Sequence, residues 1–342
     1  MDSVTQAALG ATIAGAIAGK NCNAKVLLAG AALGTLPDLD VVLDYGDDVS
    51  NTIKHRGFSH SLLLLPPFAL LLSWLYCALR PSDDWSFQRV FALIASVLVT
   101  HPLLDAMTTY GTQLLWPIEG YFEVSNIFII DPLYTLPLLI ALIVALLSKT
   151  NAGRWCRAVV LISTLYLGWG YGAQQIIAER VETNLAAQNI PNQRVLITPT
   201  PFNTVLWRVV VMGDSQYWEG LVSLLDRDPA IEFITRPAGQ WPLTETPTTL
   251  LGLQAFTHQY MDVKEKQGEL IVSDLRLGMA NNLAFEFVFA RRDQQGQWQL
   301  LDAPERYPSE RGFDQLAALW QRLKGDQTIS ADLQISPQPQ SR

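Results

Sequence analysis

His55-Arg56-Gly57-Phe58-Ser59-His60-Ser61-Leu62-Leu63-Leu64-Leu65-Pro66-Pro67-Phe68-Ala69-Leu70-Leu71-Leu72-Ser73-Trp74-Leu75-Tyr76-Cys77-Ala78-Leu79 is the stretch on which the fold turns. From Phe58 onward it carries no Asp, Glu, Lys or Arg. A helix of about 20 apolar residues spans the hydrocarbon core of a bilayer, and Phe58 to Leu79 has that length. Two histidines and an arginine stand at its entrance. Ionisable groups at a membrane rim are costly to keep, so they mark function more often than chance.

Outward from this run the pattern repeats. Val90 to Thr108, which carries only Asp105, and the charge-free Pro132 to Ser148 and Ala158 to Ala178 are further apolar segments. Ser3 to Gly19 is rich in Ala and Gly, which suits close packing against other helices. Val26 to Leu36 is short for a full crossing and reads as a re-entrant half-helix. The predicted fold is an α-helical integral membrane domain of about six segments over residues 1–178. A soluble mixed α+β domain follows over 179–325, and 326–342, ending Pro337-Gln338-Pro339-Gln340-Ser341-Arg342, reads as a disordered tail.

Composition agrees with this division. The chain of 342 residues is 49% hydrophobic and 16% charged, with a mean hydropathy of +0.17, and the averages hide a step near Ala178. A formal charge of -8 argues against nucleic-acid binding by bulk electrostatics. Cys22, Cys77 and Cys156 share no close spacing and set no disulfide or zinc framework. The start Met1-Asp2-Ser3 lacks a basic region, which argues against a cleaved signal peptide.

Basic residues orient the segments. Lys20, Lys25, Arg80, Arg89, Lys149, Arg154 and Arg157 fall in the loops after the first, third and fifth segments, against only Lys54 and Arg56 in the others. The odd loops are expected in the cytoplasm, giving a multi-pass inner-membrane protein with a periplasmic C-terminal domain. In that domain 194–198, 204–211, 269–277, 283–290 and 297–301 read as strands, and Phe313, Leu316, Leu319, Trp320 and Leu323 recur at helical spacing.

Three short stretches carry the chemistry. Pro37-Asp38-Leu39-Asp40 closes the second segment, His55 to His60 opens the third, and His101-Pro102-Leu103-Leu104-Asp105 ends the fourth. The orientation puts all three at the same outer face. His101 and Asp105 are i and i+4, so on a helix they point the same way. Singly, each Asp or His could cap a helix or snorkel, yet three of the chain's four histidines lie in these stretches. The predicted ligands are His55, His60, His101, Asp105, Asp38 and Asp40. A mixed imidazole and carboxylate set suits Zn, Mn or Fe better than Ca. Six candidates exceed the needs of one catalytic zinc, so either two ions bind, or one ion binds and some of the residues support its ligands or act as bases. An unliganded Asp38 or Asp40 is the expected proton acceptor.

These motifs, together with Met1-Asp2-Ser3-Val4-Thr5-Gln6-Ala7-Ala8-Leu9-Gly10, Gly34-Thr35-Leu36-Pro37, Tyr110-Gly111-Thr112-Gln113 and Asp131-Pro132-Leu133-Tyr134, resemble the YdjM/YbcI-type membrane-bound metal-dependent hydrolases. The resemblance covers about the first half of the chain and implies an inner-membrane protein with hydrolase activity. Many relatives carry His where this chain has Gln6, a poor ligand that is expected to contribute little. The function expected is hydrolysis by metal-activated water of an ester or phosphoester in a membrane-associated, amphiphilic substrate. The alternatives are an ion- or proton-coupled transporter, or a non-catalytic membrane anchor with a structural metal. His258 is expected to be structural or at the surface. Asp274 and Arg276 should pair or face solvent, and Trp207, Trp218 and Trp241 should serve as core or interface anchors.

Overall fold

Four short polar side chains set the starts of the main helices in the first half. Asp2 accepts from the N–H groups of Val4 and Thr5 and opens α1 (Ser3–Ala18), and Asn23 does the same for α2 (Ala24–Thr35). A 3-10 turn, Pro37–Val42, leads to α3 (Asp48–Lys54), and a second, Phe58–His60, precedes α4 (Leu65–Leu79). Ser86 caps α5 (Phe87–Asp105), and Asp131 caps α6 (Pro132–Leu147), whose first residue is the proline that a helix start tolerates. α7 (Ala152–Ala187) is a single helix of 36 residues. The computed structural model describes residues 1–82, 84–148, 150–279, 282–308 and 315–335.

The structure corrects the membrane segments in three places. Among the described residues only α5 is by itself both long and apolar enough to cross a membrane, so six full crossings are not confirmed. The run Phe58 to Leu79 is not one helix. Its chain turns at Ser61–Leu64, and Pro66 and Pro67 lie in the first turn of α4, where missing N–H groups cost nothing. Ala173 and Ile177, at the end of the predicted span Ala158 to Ala178, pack instead with Trp207 and Val209 of the second half.

The chain divides into two compact units. The first comprises Met1–Leu43, His55–Tyr171 and Pro201–Asn203. Its core forms around Leu93, Ile94, Val97 and Leu98 of α5, with Leu9 and Ile13 of α1, Leu65 and Ala69 of α4, Tyr134 and Leu138 of α6, and Val159 of α7. Each such fully buried leucine contributes about 1.5–3 kcal/mol. α1 and α2 approach backbone to backbone, because a Cβ on Gly30 would stand 2.5 Å from the Gly10 carbonyl oxygen. The other faces of α4, α6 and α7 leave Leu71, Trp74, Leu136, Ile140, Ile143, Leu147, Leu161 and Leu165 exposed at helical spacings.

The second unit comprises Asp44–Lys54, Gly172–Thr200 and Thr204–Arg342. β1 (Val195–Pro199), β2 (Leu206–Met212), β3 (Gln216–Ser223) and β4 (Phe233–Pro237) form an antiparallel sheet in sequence order. On β2 the period-two alternation sends Trp207, Val209 and Val211 against Ala173, Ile177, Val181 and Leu185 of α7. After α8 (Thr248–Phe256) come β5 (Met261–Lys266), β6 (Glu269–Asp274), the short pair β7 (Gly278–Met279) and β8 (Asn282–Leu283), then β9 (Glu286–Arg292) and β10 (Trp298–Arg306). The second sheet runs β10-β9-β6-β5, and α9 (Leu316–Leu323) follows. The mixed α and β reading of this half holds, although β3, β4, β5 and the short β7 lie outside the runs that read as strands.

Asp274 and Arg276 are both buried and pair through two contacts, at 3.1 and 2.9 Å. Trp207 is wholly buried, Trp241 packs edge-on against Phe289, and His258 is at the surface after α8. The predicted tail begins folded: Ile329 bridges to Ile335, and Ile329, Ala331 and Leu333 bury themselves against Leu206, Leu221 and Leu319. Their spacing alternates apolar with polar, which a search for long polar runs passes over. Phe313 and 336–342 lie outside the described residues.

Candidate metal centre

The end of α2, the turn before α4 and the end of α5 meet in the first unit. They bring together Asp38 Oδ1, His60 Nε2, His101 Nε2 and Asp105 Oδ2, four atoms that all lie within 4.8 Å of one another. His60 Nε2 is 3.1 Å from His101 Nε2, 3.2 Å from Asp105 Oδ2 and 3.5 Å from Asp38 Oδ1. His101 Nε2 is 3.3 Å from Asp38 Oδ1 and 3.4 Å from Asp105 Oδ2. Atoms that share one tetrahedral ion at about 2.0–2.1 Å stand roughly 3.3–3.4 Å apart, so the spacing fits such an ion.

The supporting contacts explain the aim of each ligand. His101 Nδ1 is 2.6 Å from the carbonyl oxygen of Gly34 and donates to it, which leaves Nε2 as a lone pair. His60 Nδ1 meets Ser59 Oγ at 2.9 Å, and Ser59 donates to Asp40 Oδ2 at 2.5 Å. Gln6 Nε2 donates to Asp105 Oδ1 at 3.0 Å and to the His101 carbonyl at 3.2 Å. The Met1 α-amino group, also buried, pairs with the same Oδ1. Gln6 is thus placed as a hydrogen-bond donor to a ligand carboxylate and not among the ligand atoms. Two imidazole lone pairs and two carboxylates aimed at one point repel one another, and a cation is what balances them.

Two of the six predicted ligands are not part of this group. His55 Nδ1 lies 2.7 Å from Asp40 Oδ1, while Asp40 Oδ2 accepts from Ser59 and from the Arg56 N–H. Both Asp40 oxygens are thus engaged in holding the His55–His60 turn. The sequence could not separate them from the ligands, because residue type and nearness in the chain are the same for both sets. Burial acts to raise the Asp38 carboxyl, but with the metal-free imidazoles of His101 and His60 protonated their hydrogen bonds outweigh it and hold it well below the usual carboxylate range. Asp40 is lowered as well: burial opposes this, and His55 overcomes it. A carboxylate so strongly held is a poor proton acceptor at neutral pH.

Other motif residues prove architectural. Asp131 accepts from the Leu133 and Tyr134 N–H groups and from the Tyr166 hydroxyl, at 2.9, 3.2 and 2.9 Å. Gly111 takes φ +94, a conformation that side chains rarely adopt. Tyr110 lies under the Arg56 guanidinium, 4.7 Å from ring centre to carbon.

Comparison with known proteins gives a consistent picture. The chain is 32% identical over 120 residues to the inner membrane protein YbcI of Escherichia coli K12, covering 33% of this chain and 66% of that one. It is 38% identical over 77 residues to the inner membrane protein YdjM of the same organism, 22% of this chain and 36% of the relative. The Bacillus subtilis protein YfhP is 23% identical over 208 residues, 59% of this chain and 61% of its own. The matches thus span less than two thirds of each relative's length. No solved structure matches. The YdjM inner membrane protein family matches residues 1–177, the span that supplies every ligand atom above, and the chain belongs to that family.

Proposed function

We propose that this protein is a membrane-bound, metal-dependent hydrolase acting on an ester or phosphoester of an amphiphilic substrate. The observation that carries this reading is the convergence of Asp38, His60, His101 and Asp105 on one point, with His101 fixed by the Gly34 carbonyl. Two nitrogens and two oxygens suit Zn, Mn or Fe. A bound divalent ion would lower the pKa of a water toward about 7 and so supply a nucleophile at neutral pH. His55 is the proton acceptor in this reading. Asp40 orients its Nδ1, and its side chain is 23% exposed, against 0% for His60 and His101. Asp38, at 18%, is the one ligand open to solvent and marks the side from which substrate enters.

The exposed apolar stripes of α4, α6 and α7 support a multi-pass membrane setting, since soluble monomers seldom expose such surfaces. The distribution of Lys and Arg supports a site and a second unit on the periplasmic side. The burial of three of the four ligands favours a second reading, a closed structural ion in a membrane anchor. Metal analysis of the purified chain followed by turnover assays on esters and phosphoesters in lipid separates the two. Turnover that a chelator abolishes and metal restores supports the hydrolase. A retained ion with no turnover across both substrate classes favours the anchor.

A further inference from the structure

Arg56 is the cation of this site that the ligand reading leaves unexplained. Its side chain is 4% exposed, and its Nε lies 3.3 Å from Asp105 Oδ2, the same oxygen that faces His60 and His101. Among the described residues the guanidinium makes one side-chain hydrogen bond, a long one of 3.4 Å from Nη1 to Thr108 Oγ1, and Nε makes none. A guanidinium has five donors, and burying them unmatched is costly.

The chain holds Arg56 in this position at a further cost. Its φ is +63, in the left-handed region that residues with a side chain rarely adopt. The N–H is pinned by Asp40 Oδ2 at 3.0 Å, the carbonyl by the Gln113 N–H at 3.0 Å, and the guanidinium rests on the Tyr110 ring. The arrangement over-determines one residue and sets its Nε, which has no hydrogen-bond partner, beside the Asp105 oxygen of the ligand cluster. A divalent ion would cancel the charges of Asp38 and Asp105, and Arg56 would then leave the centre electropositive. A planar fork of donors beside such a centre matches the paired oxygens of a phosphoryl group. A carboxylic ester presents a single neutral carbonyl oxygen and would fill one arm of that fork at most.

We propose that Arg56 is the anion-binding residue of this site and that its substrate class is the phosphate ester, with the guanidinium receiving phosphoryl oxygens. This rests on the metal-site reading above. The test uses the full chain in detergent micelles, loaded with the metal it retains, with inorganic phosphate binding measured by calorimetry. Arg56→Gln should keep the bound metal and weaken phosphate binding at least ten-fold, and Arg56→Lys should restore part of it, having the charge without the fork. Competition by short-chain phosphatidic acid but not by glycerol phosphate would assign the phosphoryl group to a lipid head group, and the reverse to a soluble ester.

Unchanged phosphate affinity in the metal-loaded Arg56→Gln variant would overturn the proposal, as would loss of metal from it, which would make Arg56 a support for Asp105. A wild-type chain that holds no metal overturns the metal-site reading itself, and is distinguishable from either result. Should neither Arg56 variant fold, Tyr110→Leu removes the ring beneath the guanidinium without touching a ligand atom. Weaker phosphate binding at full metal content then supports the proposal, and unchanged binding overturns it.

Discussion

His101 Nδ1 and the Gly34 carbonyl oxygen stand 2.6 Å apart, although 67 positions separate the residues in the chain. That single bond ties the end of α5 to the end of α2 and selects the imidazole tautomer that faces Asp38, His60 and Asp105. It is available because Gly34 has no side chain. A Cβ there would stand 2.5 Å from the Gln6 carbonyl oxygen of α1, so the close packing of α1 on α2 and the aim of His101 share one cause.

Replacing His101 by Ala should reduce bound metal from about one ion per chain to near zero while membrane insertion persists. Elemental analysis of purified membranes and protein checks both. Unaltered metal content would remove His101 from the ligand set.

Gly34→Val should push α2 from α1 and draw the carbonyl away from His101. The expected outcome is metal affinity lowered about 10–100-fold, with roughly 1–3 kcal/mol lost from stability by overpacking. Competition with a chelating dye and thermal unfolding measure the two effects. Equal affinity in the variant would show that the Gly34 bond does not orient the ligand.

His55→Gln separates the role read from the structure from that read from the sequence. If His55 accepts a proton, the variant keeps its metal and loses about 10²–10⁴-fold in turnover. Asp40→Asn should lower turnover in the same direction, also with metal retained. Loss of the ion from the His55 variant would return His55 to the ligand set that the sequence suggested.

The orientation proposal rests on seven basic residues in the odd loops against two in the even ones. Alkaline phosphatase fused after Arg180 should be active, and a reporter that folds only in the cytoplasm should not be. The opposite pattern would move the second unit, and the proposed face of the site, to the cytoplasm.

Truncating the buried Asp274 to Ala removes the carboxylate that accepts two hydrogen bonds from the Arg276 guanidinium, which also covers the Phe256 ring. An uncompensated buried charge costs about 3–5 kcal/mol. Denaturant unfolding followed by tryptophan fluorescence should register a loss of that order, whereas a change below about 0.5 kcal/mol would mean that the pair is not held as described.

Local spacing was legible in advance. His101 and Asp105 lie on one helical face because they are four residues apart, and α5 and α6 follow from unbroken apolar runs bounded by capping residues. β2 was legible for the same kind of reason, since Trp207, Val209 and Val211 alternate inward. β3 was not. It buries Glu219 between Arg208 and Arg236, so a charge interrupts the apolar alternation at a position that the fold has paired.

The sequence by itself determined which residue types could make this centre, that they lie at the ends of apolar helices, and that a β-rich half follows. Only the tertiary structure decided that Asp38, His60, His101 and Asp105 meet while Asp40 and His55 pair beside them, and that Gln6 and Arg56 reach the same carboxylate. The physical reason is the range of the forces involved. Periodicity and capping act within a few residues and are written in the order of the chain. Which lone pairs share a point depends on how closely α1, α2 and α5 pack, and that is set by contacts as small as a missing Cβ at Gly34.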